Sequence, residues 1–139
     1  MPTTASPEEP TDIGTDRLAK YALGLDAAFC TVGGLVLMLG GIFMSDAIGI
    51  SGWLLPIIGF AILGWANLVT LYAMRQFVRP PELDRVIGGN IVWIVLAIVL
   101  LAVPGVLTTN GKWALLIITA IVAVFAAVQI VARRGLVEV

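Results

Sequence analysis

Four polar side chains stand inside the apolar stretches of this sequence, and they are its best candidates for chemistry. They are one carboxylate and three amides: Asp26, Asn67, Asn90 and Gln129. A carboxylate in apolar surroundings can bind a proton or a cation, and neighbouring amides can shape such a site by donating and accepting hydrogen bonds. The sequence therefore predicts a polar cluster, provided that the apolar stretches bring these residues to a similar depth.

The rest of the composition argues against most other chemistry. The chain has no histidine and a single cysteine, Cys30, which excludes an intrachain disulfide, a paired-cysteine redox centre and imidazole ligation. Hard-cation sites need several convergent carboxylates, which the apolar stretches lack. A net charge of −1 provides no basic field for nucleic acid. We therefore predict no metal, no cofactor, no nucleic-acid partner and no enzymatic activity.

The elements that carry the polar residues are predicted to be membrane-spanning helices. Of the 139 residues, 60% are hydrophobic and 12% are charged, and the mean hydropathy is +1.05. A helix crosses a bilayer with about 20 apolar residues. Four such runs are present, at residues 22–44, 53–74, 86–107 and 113–132. The predicted fold class is an all-α polytopic membrane protein, with a four-helix transmembrane bundle over residues 18–135.

Short connections separate the runs and predict two antiparallel hairpins. The breaks read "SDAIGISG", "RQFVRPPELDR" and "TTNGK", and the last contains the turn pair Asn110 and Gly111. Residues 1–17 are rich in Pro, Thr and acidic side chains, a composition that cannot bury a core, so they are predicted to be a disordered tail. Residues 136–139 are predicted to be a short second tail.

The distribution of basic residues predicts the orientation of the bundle. Seven of them flank the same ends of the spans, namely Arg17, Lys20, Arg75, Arg79, Arg85, Arg133 and Arg134, whereas Lys112 alone lies at the other ends. Positive charge in short flanks marks the cytoplasmic side, and Trp53 and Trp113 at the other ends suit the outer interface. Both termini are thus predicted to be cytoplasmic, in a multi-pass protein of the cell membrane, the inner membrane of a bacterium.

A weak internal repeat relates the second and fourth runs. A shift of 60 positions places Trp113 on Trp53 and Phe125 on Trp65. A tandem hairpin repeat would relate the two halves by a two-fold axis along the membrane normal. The alternative is that apolar helices resemble one another by composition alone.

A row of small residues predicts how the first helix packs. Gly33, Gly34, Gly40 and Gly41 fall near the stripe that also carries Asp26, and small residues let helices approach closely in lipid. Asp26 should therefore face protein. One hypothesis makes it the cation or proton site of a polar vestibule open to the cytoplasm. The other makes it a structural residue that pairs with Lys20, Arg75 or Arg79.

Three segments, "LGLDA", "GGNIVW" and "FAAVQIVARR", give the chain a resemblance to small uncharacterised four-helix integral membrane proteins of bacteria. The resemblance covers most of residues 17–135 and implies four short-looped helices but no activity. In length and span number the chain also resembles the small multidrug transporters, which carry a carboxylate near the middle of the first span, whereas Asp26 lies near its edge.

Two functions follow as hypotheses. The first is a non-enzymatic accessory or assembly subunit, or a homo-oligomer, whose partners are membrane lipids and other membrane subunits or itself. The alternative is a proton- or cation-coupled small transporter, or a channel, formed as an oligomer with Asp26 as the titrating residue.

Overall fold

The structure is a computed structural model that describes residues 9–135, with side chains from residue 17 onward. Four α-helices account for most of these residues: α1 (Glu9–Ile48), α2 (Leu54–Ala73), α3 (Pro80–Ala102) and α4 (Thr109–Gly135). Each helix is long and apolar enough to cross a membrane. For the described part of the chain, the prediction of an all-helical protein with four candidate spans is confirmed.

The first helix extends further toward the amino terminus than the sequence suggests. It begins at Glu9 and has 40 residues, a length of about 60 Å, whereas the hydrocarbon core is about 30 Å thick. Residues 9–17, predicted to be part of a disordered tail, therefore continue the helix. Pro10 does not prevent this, because backbone N–H groups of the first turn have no helical partner to lose. The predictions for residues 1–8 and 136–139 lie outside the described residues.

Prolines set both ends of α3, which is displaced from the predicted run at 86–107. The helix starts at Pro80, after an extended Arg79 whose N–H donates to Glu82 Oε1 at 3.3 Å. It stops at Ala102 because Val103, which precedes Pro104, is extended with φ −79° and ψ 120°. A residue before proline is disfavoured in helical conformation, so the apolar residues up to 107 form the following connection instead.

The fourth helix starts before the predicted run, and the expected turn at Asn110 and Gly111 is wrong. Both residues lie in the first turn of α4. Thr108 supports this start, since its hydroxyl oxygen accepts a hydrogen bond from the Gly111 N–H at 3.0 Å. Gly111 has a packing role, because a Cβ there would overlap the carbonyl group of Ile48.

Packing within the bundle is uneven. Helix α1 packs against α2 and α4, and α3 packs against α4, whereas α2 and α3 contact each other sparsely. The main buried cluster has contributions from every helix and from the α2–α3 connection; it includes Leu23, Val69, Val78, Leu83 and Ala132. Many large apolar side chains point outward, as in Phe43, which is 86% exposed. An apolar exterior of this kind suits contact with lipid.

Only half of the predicted glycine stripe packs against another helix. A Cβ at Gly34 would lie 3.0 Å from the Gly59 carbonyl oxygen of α2, and one at Gly41 would lie 2.7 Å from Leu55 Cβ. A Cβ at Gly33 would meet nothing within 4 Å, and one at Gly40 would reach only Met44 Sδ of its own helix, at 3.8 Å. Consecutive helical residues are rotated by about 100°, so Gly33 and Gly40 lie off the contact.

The α1–α2 and α3–α4 connections meet at one end of the bundle, which we call the loop end (residues 47–53 and 103–111). The Thr108 N–H donates to the Ile48 carbonyl at 3.0 Å, and the Thr108 hydroxyl donates to the Ala47 carbonyl. Gly49 has φ +99°, a conformation that favours glycine, and its α-carbon lies against the backbone of residues 106–108. The opposite end holds Lys20, Gln76, Glu82 and Arg133, and we call it the basic end.

Burial follows the 60-position shift more closely than residue identity does. Helices α2 and α4 bury corresponding positions: Gly59 and Thr119, Ala66 and Ala126, Val69 and Gln129, Tyr72 and Ala132. The aligned aromatic side chains Trp65 and Phe125 each contact a helix of the other helix pair. Trp65 lies against Gly89 of α3, and Phe125 stacks edge-on with Phe29 of α1. Helix packing does not repeat between the two halves. Helix α4 packs along α1, the first helix of the other half, whereas α2 contacts α3 only sparsely.

Candidate functional site

Three of the four predicted polar residues meet inside the bundle. Asp26 of α1 and Gln129 of α4 are 0% exposed, and Asn90 of α3 is 4% exposed. Cys30, one turn after Asp26 on α1, joins them. We call these four residues the polar core. It links α1 to α3 and α4, because Asn90 and Gln129 lie 64 and 103 positions after Asp26 in the sequence.

Hydrogen bonds in the polar core converge on the carboxylate. Asp26 Oδ2 accepts from Asn90 Nδ2 and from Gln129 Nε2, both at 2.8 Å. Asn90 Nδ2 also donates to Gln129 Oε1 at 2.9 Å, so the two amides are bonded to each other. The Cys30 thiol donates to Asp26 Oδ1 at 3.4 Å. Each oxygen of the carboxylate thus has at least one donor.

All the donors that reach Asp26 are neutral groups. The pairing predicted with Lys20, Arg75 or Arg79 is not present among the described residues. Lys20 Nζ instead donates to the Gln76 carbonyl at 2.5 Å, and Arg75 pairs with Glu82. Long basic side chains extend their charged ends toward water, whereas Asp26 lies six residues past Lys20, about 9 Å further along α1.

Asn67 is the predicted polar residue that the structure leaves out of the cluster. It is exposed on α2, next to the buried Ala66. The rotation of about 100° between successive helical residues turns Asn67 away from the interior. No described residue provides Asn67 with a hydrogen bond. The position of a residue along a helix does not by itself fix the face on which its side chain lies.

A network of charged side chains covers the basic end. Arg75 pairs with the buried Glu82 and its guanidinium lies 5.7 Å from the centre of the Tyr72 ring. Arg85 Nη1 donates to the Tyr72 hydroxyl at 3.1 Å. These contacts tie the start of α3 to the end of α2, where helix packing itself is sparse.

A second ion pair joins α3 to α4 at the same end. Arg133 donates through Nε to Asp84 Oδ1 at 2.7 Å and through Nη2 to Asp84 Oδ2 at 3.3 Å. Arg79 and Arg134 are exposed. In the sequence the arginines predict topology or a pairing with Asp26, and Glu82, Asp84 and Tyr72 are not among the predicted site residues. The alternation of charges in "RPPELDR" was the available signal for the acidic partners.

The loop half of the bundle contains an apolar cavity of about 200 Å³. All four helices line it, with Leu37, Ile58, Trp93 and Leu115 among its walls. Trp93 Nε1 and Thr119 Oγ1 are buried and have no hydrogen-bond partner among the described residues. Both atoms are covered by packing, so the cavity itself offers an apolar surface.

Metal ligands do not cluster in the part of the chain that the structure describes: no group of three His, Cys, Asp or Glu side chains is close enough to hold an ion.

Comparison of the chain with protein families, with curated proteins and with solved structures finds no match.

Proposed function

We propose that this chain is a non-enzymatic integral membrane protein that works as a subunit, associating through the outer face of α2 with other membrane proteins or with further copies of itself. The two helix pairs, α1 with α2 and α3 with α4, are antiparallel hairpins in this proposal, and both termini lie in the cytoplasm of a bacterial cell. The observation that carries the proposal is the position of Asn67.

An amide that faces lipid is unfavourable unless it finds a hydrogen-bond partner. Asn67 is exposed on α2, six residues before the end of that helix, about 9 Å inside it. Gly64, one turn earlier, is also exposed, and a Cβ there would meet nothing within 4 Å. A glycine beside an unbonded amide allows another helix to approach closely enough to satisfy it.

The polar core supports the same proposal by contrast. Asp26, Asn90 and Gln129 form hydrogen bonds with one another within a single chain. These bonds hold α1, α3 and α4 together. Asn67 has no such partner among the described residues, and in this proposal a neighbouring membrane protein or a second copy supplies one. A polar residue at an intersubunit contact explains its presence on an otherwise apolar face.

Cysteine cross-linking in native membranes tests this proposal. The background is Cys30→Ser, which removes the one native thiol. Phe60→Cys lies two turns before Asn67 on the exposed face of α2 and leaves the Asn67 amide in place. It should form an oxidant-induced disulfide-linked dimer or react with a bifunctional thiol–amine cross-linker to give a defined larger product. The matched control is Val92→Cys, which is exposed on α3 at a similar distance from the basic end of its helix and should give neither product.

Equal cross-linking of the two cysteine variants would indicate random collision and would remove the support for an α2 interface. A lack of any product from Phe60→Cys, with the thiol shown to react with a small maleimide, would contradict association through this face.

One observation favours a second function, proton-coupled transport. An ionisable residue inside a membrane span is a functional candidate by default, and the carboxylate of Asp26 is bonded only to neutral groups in the described chain. A carboxylate without a basic partner can gain or lose a proton with no ion pair to break. The surrounding amides can hold either form, because each offers a donor and an acceptor.

Proton flux into reconstituted vesicles tests this second function. An imposed potential should drive acidification of vesicles containing the natural chain, and Asp26→Asn should abolish it. Asp46→Asn provides the control, because Asp46 is exposed near the loop end of α1. Flux that persists in Asp26→Asn would remove this residue from any transport mechanism.

A further inference from the structure

The apolar cavity of about 200 Å³ in the loop half of the bundle has no part in either proposed function. The side chains that line it are aliphatic except for Trp93, whose indole forms part of the wall. Its inner wall includes Leu55 and Ala97, which are 2% and 4% exposed. Because all four helices contribute to the lining, the cavity belongs to the bundle as a whole.

Polar groups beside the cavity are already hydrogen-bonded or are covered by packing. The Ile48 carbonyl accepts from the Thr108 N–H at 3.0 Å, and the Gly111 N–H donates to the Thr108 hydroxyl oxygen at 3.0 Å. Trp93 Nε1 is covered by packing. A buried water needs about two to four polar partners, which these groups do not offer. The cavity therefore favours an occupant without hydrogen-bonding groups.

The volume of the cavity and the Trp93 ring indicate the class of occupant. A protein cavity of about 150 Å³ lined by Leu, Ile and Phe excludes water and binds benzene. Drug-sized ligands require more room, about 300–1,000 Å³, so a molecule with a single ring fits best. An aromatic ring has a further advantage over an aliphatic one, because aromatic pairs in offset or edge-to-face contact are favourable beyond the area that they bury.

The rim of the cavity lies on the side of the bundle. Leu96 and Ile118 also line the cavity, and they are 61% and 38% exposed, so the lining continues to the surface that faces lipid. The hydrogen bond between Thr108 and Ile48 joins the two connections at the loop end. An uncharged aromatic molecule dissolves in the hydrocarbon core and can therefore enter from the side without crossing the loop end.

We propose that this cavity is a binding site for an uncharged, single-ring aromatic molecule that reaches it from the membrane. The ring lies against Trp93 and contacts aliphatic side chains of all four helices. The site includes neither the polar core nor Asn67, so the inference goes beyond the subunit and transport functions and does not depend on them.

Headspace measurement of toluene over nanodiscs that contain the full-length protein tests the proposal. Protein-free nanodiscs with the same lipid content give the amount of toluene that dissolves in lipid alone. The natural chain should bind a saturable excess that reaches one molecule per chain. Phenol has the same ring but carries a hydroxyl that loses its water and gains no partner in the cavity. Equilibrium dialysis against the same nanodiscs should show that phenol binds with lower affinity than toluene.

Variants of the lining locate the bound toluene. Ala97→Leu fills the cavity from α3 and should remove the toluene excess. Ala102→Leu is the matched control, because it makes the same change at an exposed position of α3 outside the lining, and it should leave the excess unaltered. Leu115→Ala enlarges the cavity and should raise the affinity for the two-ring molecule naphthalene relative to toluene. Helical circular dichroism establishes that each variant is folded, and Leu115→Ala decides the matter if Ala97→Leu does not fold.

Four results would overturn the proposal. One is a natural chain without a saturable excess of toluene, which would show that lipid tails or side-chain movements fill the space. Another is the same excess in folded Ala97→Leu, which would place the bound toluene on the lipid-facing surface. The third is an unchanged ratio of naphthalene to toluene affinity in Leu115→Ala. The fourth is a higher affinity for phenol than for toluene, which would contradict the apolar class of the ligand.

Discussion

Asp26, Asn90 and Gln129 each take part in two long-range side-chain hydrogen bonds, and at Asp26 both are accepted by one carboxylate oxygen. The Oδ2 atom of Asp26 accepts two amide N–H groups from two different helices, and a change at this one position therefore affects both. Interhelical hydrogen bonds in membranes contribute only about 0.6 kcal/mol on average. The penalty for leaving a buried donor without a partner is larger, about 1–3 kcal/mol.

Replacement of Asp26 should destabilise the bundle in a graded way. Asp26→Ala removes both acceptors and should lower the free energy of unfolding by about 1–3 kcal/mol. Asp26→Asn keeps one carbonyl oxygen for the amides and should cost less than Asp26→Ala. Denaturant titration in detergent, followed by helical circular dichroism, measures both. Asp46→Ala is the control at an exposed aspartate and should change stability by less than about 0.5 kcal/mol; an equal loss there would refute a special role for Asp26.

At the residue scale, the sequence indicated the level of the polar groups but not all their partners. Three of the four selected residues, Asp26, Asn90 and Gln129, meet because their helices pass the same level on facing sides. Asn67 does not, since a single step along α2 moves a side chain from the interior to the exterior. The partners of the arginines depend on how α2 and α3 are joined, which no local pattern encodes.

Helices α1 and α2 approach each other closely, and two glycines permit it. A Cβ added to Gly59 would lie 2.5 Å from the Met38 backbone nitrogen and 2.6 Å from the Gly34 carbonyl oxygen. Backbone atoms cannot swing aside as a flexible side chain can, so this contact requires glycine on α2. Since small residues govern helix association in lipid, the pair Gly34 and Gly59 sets the distance between the two helices.

Alanine at Gly59 should separate α1 from α2. The added methyl group overpacks the contact, and overpacking costs about 1–3 kcal/mol. Gly88→Ala on α3 meets nothing within 4 Å and should be neutral or stabilising by up to about 1 kcal/mol, because alanine favours helix over glycine. Thermal unfolding of the two variants in the same detergent compares them directly. A Gly59→Ala protein as stable as Gly88→Ala would contradict the proposed contact.

Helix existence was predictable from length and hydropathy, whereas helix ends depended on local chemistry. Pro80 and Pro104 displace α3 toward the amino terminus of the predicted run. Hydropathy treats the residues on both sides of Pro104 alike, but the proline prevents the preceding residue from remaining helical. The choice between Gly33 and Gly34 as a packing residue required the position of α2.

At the scale of the whole molecule, charge is segregated between the two ends. The basic end contains the pairs Arg75–Glu82 and Arg133–Asp84, while the loop end is closed by backbone contacts between residues 47–49 and 106–108. Trp53 and Trp113 are both exposed near the loop end. This asymmetry supports the proposed orientation, with the basic end toward the cytoplasm.

Labelling of intact cells with a membrane-impermeant maleimide tests this orientation. In the Cys30→Ser background, Lys112→Cys near the loop end should react in intact cells. Arg134→Cys at the basic end should react only after the membrane is permeabilised. Both positions are exposed, so burial does not account for a difference. The reverse pattern of labelling would invert the topology.

The unequal packing of the two halves was not accessible from the sequence. The 60-position shift predicts equivalent helices, and the burial of α2 and α4 follows it. Nevertheless α1 packs closely with α4, and α2 and α3 are left to contact through Trp65 and the charged network. A sequence repeat describes which face of each helix is buried; the relative placement of the halves depends on side chains that differ between them, such as Asp26 and its counterpart Val86.

The wide sequence separation within the polar core has a consequence for biosynthesis. Gln129 is made 103 positions after Asp26, and at about 5–20 residues per second a ribosome needs on the order of 5–20 s to cover that distance. During this interval the carboxylate has neither Gln129 nor, at first, Asn90 to bond it. Helix α1 therefore lacks its complete set of interhelical hydrogen bonds until α4 has been made. A chain that ends before α4 would keep a carboxylate without its Gln129 donor. An unfinished protein would differ from a complete one in this buried, incompletely hydrogen-bonded group.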